Sequence, residues 1–323
     1  MVGAHIAKYT VQTRSIGNSA LSVSIVGLGC NNFGRLDLES SRKVVHRALD
    51  LGVTLFDTAD VYGNRSGSEE QLGAILGARR NGIVLATKFG MPMSDDGSQS
   101  GASRRYIAEA VEASLKRLKT DRIDLYQLHQ PDPKTPLDET LEALTALVKG
   151  GKVRFIGCSN LPAWQVADSQ WLSKTKGLAH FISAQDEYSL LVRDAEKELI
   201  PALKAHGMGL LPYFPLASGM LTGKYRRGAD VPAGTRMALI KRLSDRYMTE
   251  ENWKIVGALD AFCAKRGRTI LELAFSWLVS NPVLSSVIAG ATRPEQIEQN
   301  VAAANWALTP EDLAEIDRIT KKD

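Results

Sequence analysis

Short runs of Val, Ile, Leu and Phe alternate along the chain with longer stretches in which apolar residues recur every three or four positions. The first pattern is that of buried strands and the second that of helices with one apolar stripe, so their alternation predicts βα units around a parallel sheet. Strands are predicted over residues 23–28, 54–57, 83–88, 125–129, 153–159, 181–185, 209–213 and 284–288. Val44, Val45, Ala48 and Leu49 mark one helical stripe, with Ser40 and Ser41 as candidate caps. Further helices are predicted over 68–76, along Ile107, Val111, Leu115 and Leu118, along Leu141, Leu144 and Val148 up to Gly150-Gly151, around 164–172, near 196–206, after Thr269, and from Arg293-Pro294. The rhythm breaks between Gly219 and about Glu250, a long segment rich in Gly, Pro and Arg.

Eight strands, each followed or flanked by a helix, fit a closed (β/α)8 TIM barrel of the α/β class better than an open doubly wound sheet. No linker and no internal repeat interrupts the pattern, so residues 1–323 are expected to form a single barrel domain. The chain is 44% apolar and 24% charged, a globular composition with a core large enough to need neither disulfide nor metal. A net charge of +4 suits an anionic cofactor or substrate but is too weak to argue for nucleic acid. Cys30, Cys158 and Cys263 lie far apart and at no metal-ligand spacing, which argues against a disulfide framework, and Cys30 and Cys158, at apparent strand ends, are expected to be packing residues. No apolar stretch approaches the ~18 residues of a membrane span. The opening MVGAHIAKYT holds no run of signal-peptide length, so no membrane association and a cytoplasmic location are expected. The pattern is silent on oligomeric state.

In such a barrel the reactive groups sit at the C-terminal ends of the strands and just beyond. Four polar residues hold such places: Asp57 in LFDTADVYG, Tyr62 five residues on, Lys88 ending VLATK, and His129 ending IDLYQLH. Singly, each has an ordinary structural reading: a turn cap, a packed ring, a rim lysine, a core histidine. Together they make an acid. A tyrosine hydroxyl titrates near about 10, too high to donate readily at neutral pH. A neighbouring ammonium favours the phenolate, and a carboxylate keeps that ammonium charged and in place. The expectation is therefore that Asp57 supports Lys88, that Lys88 makes Tyr62 unusually acidic, and that His129 orients a substrate carbonyl. An acid of this kind protonates an oxygen while something else attacks the carbon.

At these residues the chain resembles the aldo-keto reductase superfamily, as a bacterial-type member outside its best-studied branch. The segments VSIVGLGCNNFG, FDTADVYG, GSEEQLG, VLATKFG, SLKRLKTDRIDLYQLHQPD, LVKGGKVRFIGCSN, AQDEYSLL, YFPLASGMLTGKY and VIAGATRPEQIEQN occur in the family's order. The resemblance implies a tetrad of Asp57, Tyr62, Lys88 and His129, and a nicotinamide cofactor that supplies hydride. No Gly-x-Gly-x-x-Gly follows the first strand, where Gly27-Leu28-Gly29 runs into Cys30-Asn31-Asn32. The resemblance implies instead a cofactor stretched across the barrel mouth.

By that resemblance Gly29, Asn31 and Asp57 border the cofactor, and Ser159, Asn160 and Gln185 hydrogen-bond its carboxamide. Tyr213 stacks on the nicotinamide ring and fixes which face gives hydride. Pro215, Leu216, Ser218, Gly219, Leu221 and Lys224 line the pyrophosphate tunnel. Gly290, Ala291, Arg293, Gln296, Gln299 and Asn300 match the adenosine end. The best-studied branch carries a lysine at the position of Gly290 and an arginine at that of Gln296, which leaves Arg293 as the expected contact to a 2′-phosphate. NADPH/NADP+ is the expected cofactor, with NADH as the alternative. The implied activity is reversible reduction of a small-molecule carbonyl substrate, in a bowl lined by Phe33, Tyr62, Met91, Met93, His129 and Gln130, with Leu190 and Leu191 nearby. Sugar-like aldehydes, aromatic aldehydes and bulky ketones all stay open. Two rivals share the fold: a Schiff-base lyase using Lys88 as nucleophile, and a cofactor-sensing regulatory subunit.

Overall fold

Eight of the short apolar runs pair side by side as parallel strands. The structure, a computed structural model, describes residues 11–321; the MVGAHIAKYT stretch lies outside the described residues. An antiparallel hairpin of β1 (Thr13–Ser15) and β2 (Ser22–Ser24) comes first. The barrel strands are β3 (Val26–Gly29), β4 (Leu55–Asp57), β5 (Val84–Phe89), β6 (Ile123–Leu128), β7 (Val153–Ser159), β8 (Phe181–Glu187), β9 (Gly209–Tyr213) and β10 (Val287–Gly290). Neighbours follow chain order, with β10 beside β3. The ring closes at Leu210, whose N–H donates to the Val283 carbonyl at 2.8 Å and whose carbonyl accepts from the Ser285 N–H at 2.9 Å. The result is a (β/α)8 TIM barrel.

Strand side chains alternate between faces, so every second residue enters the barrel. Leu55, Val84, Ala86, Leu125, Ile182, Leu211 and Ile288, from six strands, pack together there, and Ile16, Leu21 and Val23 of the hairpin region close the lower end. One inward position higher on three of these strands stand Asp57, Lys88 and Gln127. The same period of two thus turns an apolar filling into a polar cap at the C-terminal end. A second, larger apolar cluster lies between strands and helices and takes in Cys30, Cys158 and Cys263, all three unpaired thiols.

Several expected elements shift. The strand over 23–28 divides at Ile25: the Ser24 hydroxyl donates to the Val26 carbonyl at 2.7 Å, and Ser24 and Thr54 exchange backbone-to-hydroxyl bonds of 2.8 and 2.9 Å, which parts the hairpin arm from β3. The helix Leu38–Asp50 is capped by Asp37, not by Ser40 or Ser41; Asp37 Oδ1 accepts from the Ser40 N–H at 2.8 Å. The strand over 284–288 moves to Val287–Gly290, while Leu284 forms the closing bridge to Leu210. The segment from Gly219 carries helices Arg236–Leu239 and Lys241–Tyr247, followed by Glu250–Ala264. A further helix, Pro310–Thr320, follows Pro294–Ala303. Among the described residues no helix is long and apolar enough to cross a membrane.

Candidate active site

Lys88 is fully buried, and its ammonium is satisfied on three sides. Nζ donates to Asp57 Oδ2 at 2.6 Å and to the Thr58 carbonyl at 2.9 Å, and it lies 3.4 Å from the Tyr62 hydroxyl. The other Asp57 oxygen accepts from Gln127 Nε2 at 3.1 Å and Gln185 Nε2 at 2.9 Å. A buried ion pair persists only when its remaining polar atoms are bonded in this way. Tyr62 stands half-buried in the turn after β4, and the His129 ring, one residue past β6, meets it edge-on at 5.6 Å. The four residues singled out in the sequence therefore share one cluster.

Their charge states differ from the expectation at one point. Burial alone lowers the Lys88 pKa, but Asp57 and then Tyr62 outweigh it and hold the ammonium above the ordinary lysine value. Tyr62 is not made unusually acidic. Burial is the largest influence and raises it, Lys88 lowers it, Asp57 raises it again, and the phenol ends above its usual range. The carboxylate expected only to hold the lysine also repels the phenolate. His129 is pushed down to about 3, by burial first and then by Lys88, so its imidazole is neutral. Its Nδ1 is buried without a partner.

Around this cluster the strand ends supply polar groups. The Ser159 hydroxyl donates to the Gln185 carbonyl at 2.8 Å. Asn160, at a left-handed φ of 61°, donates through Nδ2 to the His129 carbonyl and to Ser159 Oγ, each at 3.0 Å. Its Oδ1 accepts from the Tyr213 hydroxyl at 2.9 Å. Strained left-handed backbone at a non-glycine residue is maintained where the surroundings over-determine it, often at functional sites. Gln185 spends its amide N–H on Asp57.

The remaining positions fit an extended anionic cofactor. Gly29 pairs with Gly290, where a Cβ would lie 3.1 Å from both Asn31 Oδ1 and Asn32 Nδ2, so these two side chains close over the glycine. Ala217, Ser218 and Gly219 have φ of 46°, 56° and 99°, and the buried Ser218 hydroxyl has no partner. Lys224 Nζ lies 2.9 Å from where a Cβ on Gly219 would stand. An orphaned hydroxyl next in sequence to a glycine that an ammonium approaches suits a phosphate. Pro215 is buried and Leu216 half-buried. The Leu221 side chain is in the core, leaving only its backbone for a ligand.

At the far end Ala291 and Asn300 are buried, and Gln299 is exposed. Gln296 Oε1 accepts from the Thr292 N–H at 2.7 Å. Arg293 is exposed at the N-cap of the helix Pro294–Ala303, 3.9 Å from Glu295.

The expected bowl lining is only partly present. Phe33, Leu190 and Leu191 are packed into the outer apolar cluster and offer the mouth no surface. Met91, Met93 and Gln130 are partly exposed. Gln127 and Thr58 were not read from the sequence as part of the site; the step of two from Leu125 would have put Gln127 on the inward face. Arg236, in the arginine-rich segment after Gly219, is among the charges that act on Tyr62, and Glu187, not read from the sequence, accepts from Arg246 and the Tyr247 hydroxyl.

A sequence model of the Aldo/keto reductase family matches residues 25–321. The chain is 37% identical to a probable voltage-gated potassium channel subunit beta of Arabidopsis thaliana, over 96% of each chain. It is 35% identical to L-glyceraldehyde 3-phosphate reductase of Escherichia coli (strain K12), over 95% of this chain and 92% of that one. It is 31% identical to versiconal hemiacetal acetate reductase of Aspergillus parasiticus, over 92% of this chain and 94% of the relative.

Proposed function

The chain belongs to the aldo/keto reductase family, an NAD(P)H-dependent oxidoreductase acting on carbonyl compounds, and from that premise we propose that Tyr62 is the proton donor and NADPH the preferred cofactor. The observation that carries this reading is the position of Lys88 Nζ, in contact with both Asp57 Oδ2 and the Tyr62 hydroxyl.

When bound, NADPH supplies the hydride that the carbonyl carbon accepts. Tyr62 gives its hydroxyl proton to the carbonyl oxygen. Its raised pKa keeps that proton in place across neutral pH, and donation still runs downhill because an oxygen becoming an alkoxide is far more basic than a phenolate. Lys88 stabilises the phenolate left behind, and Asp57 keeps Lys88 charged. His129 is neutral and so acts as a hydrogen-bonding group toward the oxygen, not as the acid. Ser159, Asn160 and Gln185 are the groups for the carboxamide, Tyr213 for the ring, and Ser218 with Lys224 for the diphosphate. Arg293, exposed and only loosely paired with Glu295, is the group for a 2′-phosphate, which favours NADPH over NADH. A cytoplasmic location goes with this proposal.

The lyase reading loses support, because a nucleophilic lysine must shed its proton and Lys88 is held charged. The regulatory reading keeps one specific observation, the similarity to plant potassium channel β subunits. It predicts tight NADPH binding with very slow turnover. Fluorescence titration with NADPH and NADH, then a panel of aldehydes and ketones followed at the cofactor's absorbance, separates the readings. The proposal expects tighter NADPH binding and steady oxidation of cofactor with at least one carbonyl class. A chain that binds neither nucleotide would overturn it.

A further inference from the structure

We propose that the outward face of the helix Ala163–Lys176 docks a second copy of this chain, in a two-fold antiparallel pair centred on Trp171. None of the residues on that face belongs to the site at the barrel mouth.

The helix buries Val166, Ser169 and Ser173 against the barrel and turns its other side to solvent. Among the described residues four large apolar side chains are exposed, and two of them, Trp164 at 66% and Trp171 at 61%, stand on this helix. Seven residues make almost two whole turns, so the two indoles lie on one line about 10 Å apart. Single exposed apolar residues are ordinary on a protein surface, but two indoles in register form a patch of the kind that marks an interface. Tryptophan combines a large apolar area with few rotatable bonds, so covering it against a partner loses little side-chain freedom.

The charges on the same face say what covers it. Asp168 stands three residues before Trp171 and Lys174 three after it; both are exposed, and neither forms an ion pair with any described residue. Lys176, by contrast, is already held at 2.6 Å by Asp138 of the neighbouring helix Leu137–Lys149. When two identical helices pack antiparallel about a two-fold axis at Trp171, the residue three before the axis faces the residue three after it on the other copy. Asp168 then meets Lys174 of the second copy, and symmetry makes that pair twice. The two Trp171 rings meet on the axis, and Trp164 reaches the end of the facing helix, where Leu178 is half-buried. A parallel pairing would instead set Asp168 against Asp168 and Lys174 against Lys174, which like charges oppose. A surface complementary to itself in this way fits an isologous contact.

Sedimentation velocity of the full chain tests this directly. Two aligned indoles and two ion pairs make a small interface, so a reversible dimer with a Kd of about 1–100 μM is expected. Trp171→Ala should be monomeric where the wild type is dimeric, with NADPH binding within about twofold of wild type. Asp168→Lys and Lys174→Asp should each weaken the dimer by about tenfold or more, because each sets like charges face to face. Mixing these two variants should restore a dimer, since every facing pair is then opposite in charge, and the double variant Asp168→Lys/Lys174→Asp should dimerise by itself. Pairing on mixing also shows that both variants are folded. A wild type that stays monomeric up to about 100 μM would overturn the proposal. So would an oligomer that survives Trp171→Ala and both reversals, because another face would then hold it. Reversed variants that dissociate singly but fail to pair when mixed would overturn it as well.

Discussion

The Tyr62 phenol loses more to burial than it gains from the Lys88 ammonium 3.4 Å away, so it keeps its proton until the carbonyl oxygen takes it. With His129 near 3 and Tyr62 above its usual value, neither group titrates between about pH 6 and 9. The kcat/KM for reduction should be flat across that window. It should fall only at the alkaline end, since the donor must be protonated and loses its proton as pH rises through its pKa. A limb in the profile close to the ordinary histidine value would transfer the acid role to His129. The four tetrad members were legible because strand ends in a barrel converge and these residues titrate. Gln127 was not, because an amide carries no charge to draw attention. Its Nε2 nevertheless supplies one of two donors to Asp57 Oδ1. Gln127→Leu is expected to cost about 1.5–3 kcal/mol of stability, the worth of a hydrogen bond to a charged group, and to lower kcat with NADPH binding unchanged. Urea unfolding and steady-state kinetics read both; no change in either would mean that Gln185 suffices.

Elements were legible where they were long enough to repeat a pattern. The helix Arg104–Leu118 shows its apolar stripe, and its strand neighbours β5 and β6 are buried along their whole length. The helices Arg236–Leu239 and Lys241–Tyr247 have 4 and 7 residues, too few for a period, and owe their form to tertiary contact. For the second of them that contact is Glu187 at the top of β8, which accepts from Arg246 Nη2 at 2.6 Å and from the Tyr247 hydroxyl. The split of the first strand at Ile25 was hidden for a different reason. Alternation alone does not reveal that Ser24 bonds across to Thr54. Glu187→Ala should release the segment from β8. The expected outcome is faster proteolytic cutting within residues 219–250 and faster NADPH release in stopped flow. Cutting and release at the wild-type rates would show that other contacts hold the segment.

At the scale of the whole molecule, eight alternations of strand and helix determine the barrel, and that count was readable along the chain. The closure through Leu210 and the lower plug of Ile16, Leu21 and Val23 were not, because both join residues distant in sequence. The barrel brings the ends of β4, β5, β6 and β8 within hydrogen-bonding reach, which is how residues as far apart as Asp57 and Gln185 share one proton-handling site. Relatives with names as different as channel subunit and reductase carry this frame, so the fold alone does not fix what enters the mouth. The central claim is about one atom, the Tyr62 hydroxyl oxygen. The most direct test is Tyr62→Phe, measured for NADPH binding by fluorescence and for carbonyl reduction at saturating cofactor. The account predicts binding within about twofold of wild type and turnover lower by about 10²–10⁴-fold, the contribution of a positioned general acid. Turnover at the wild-type rate with binding intact would contradict it.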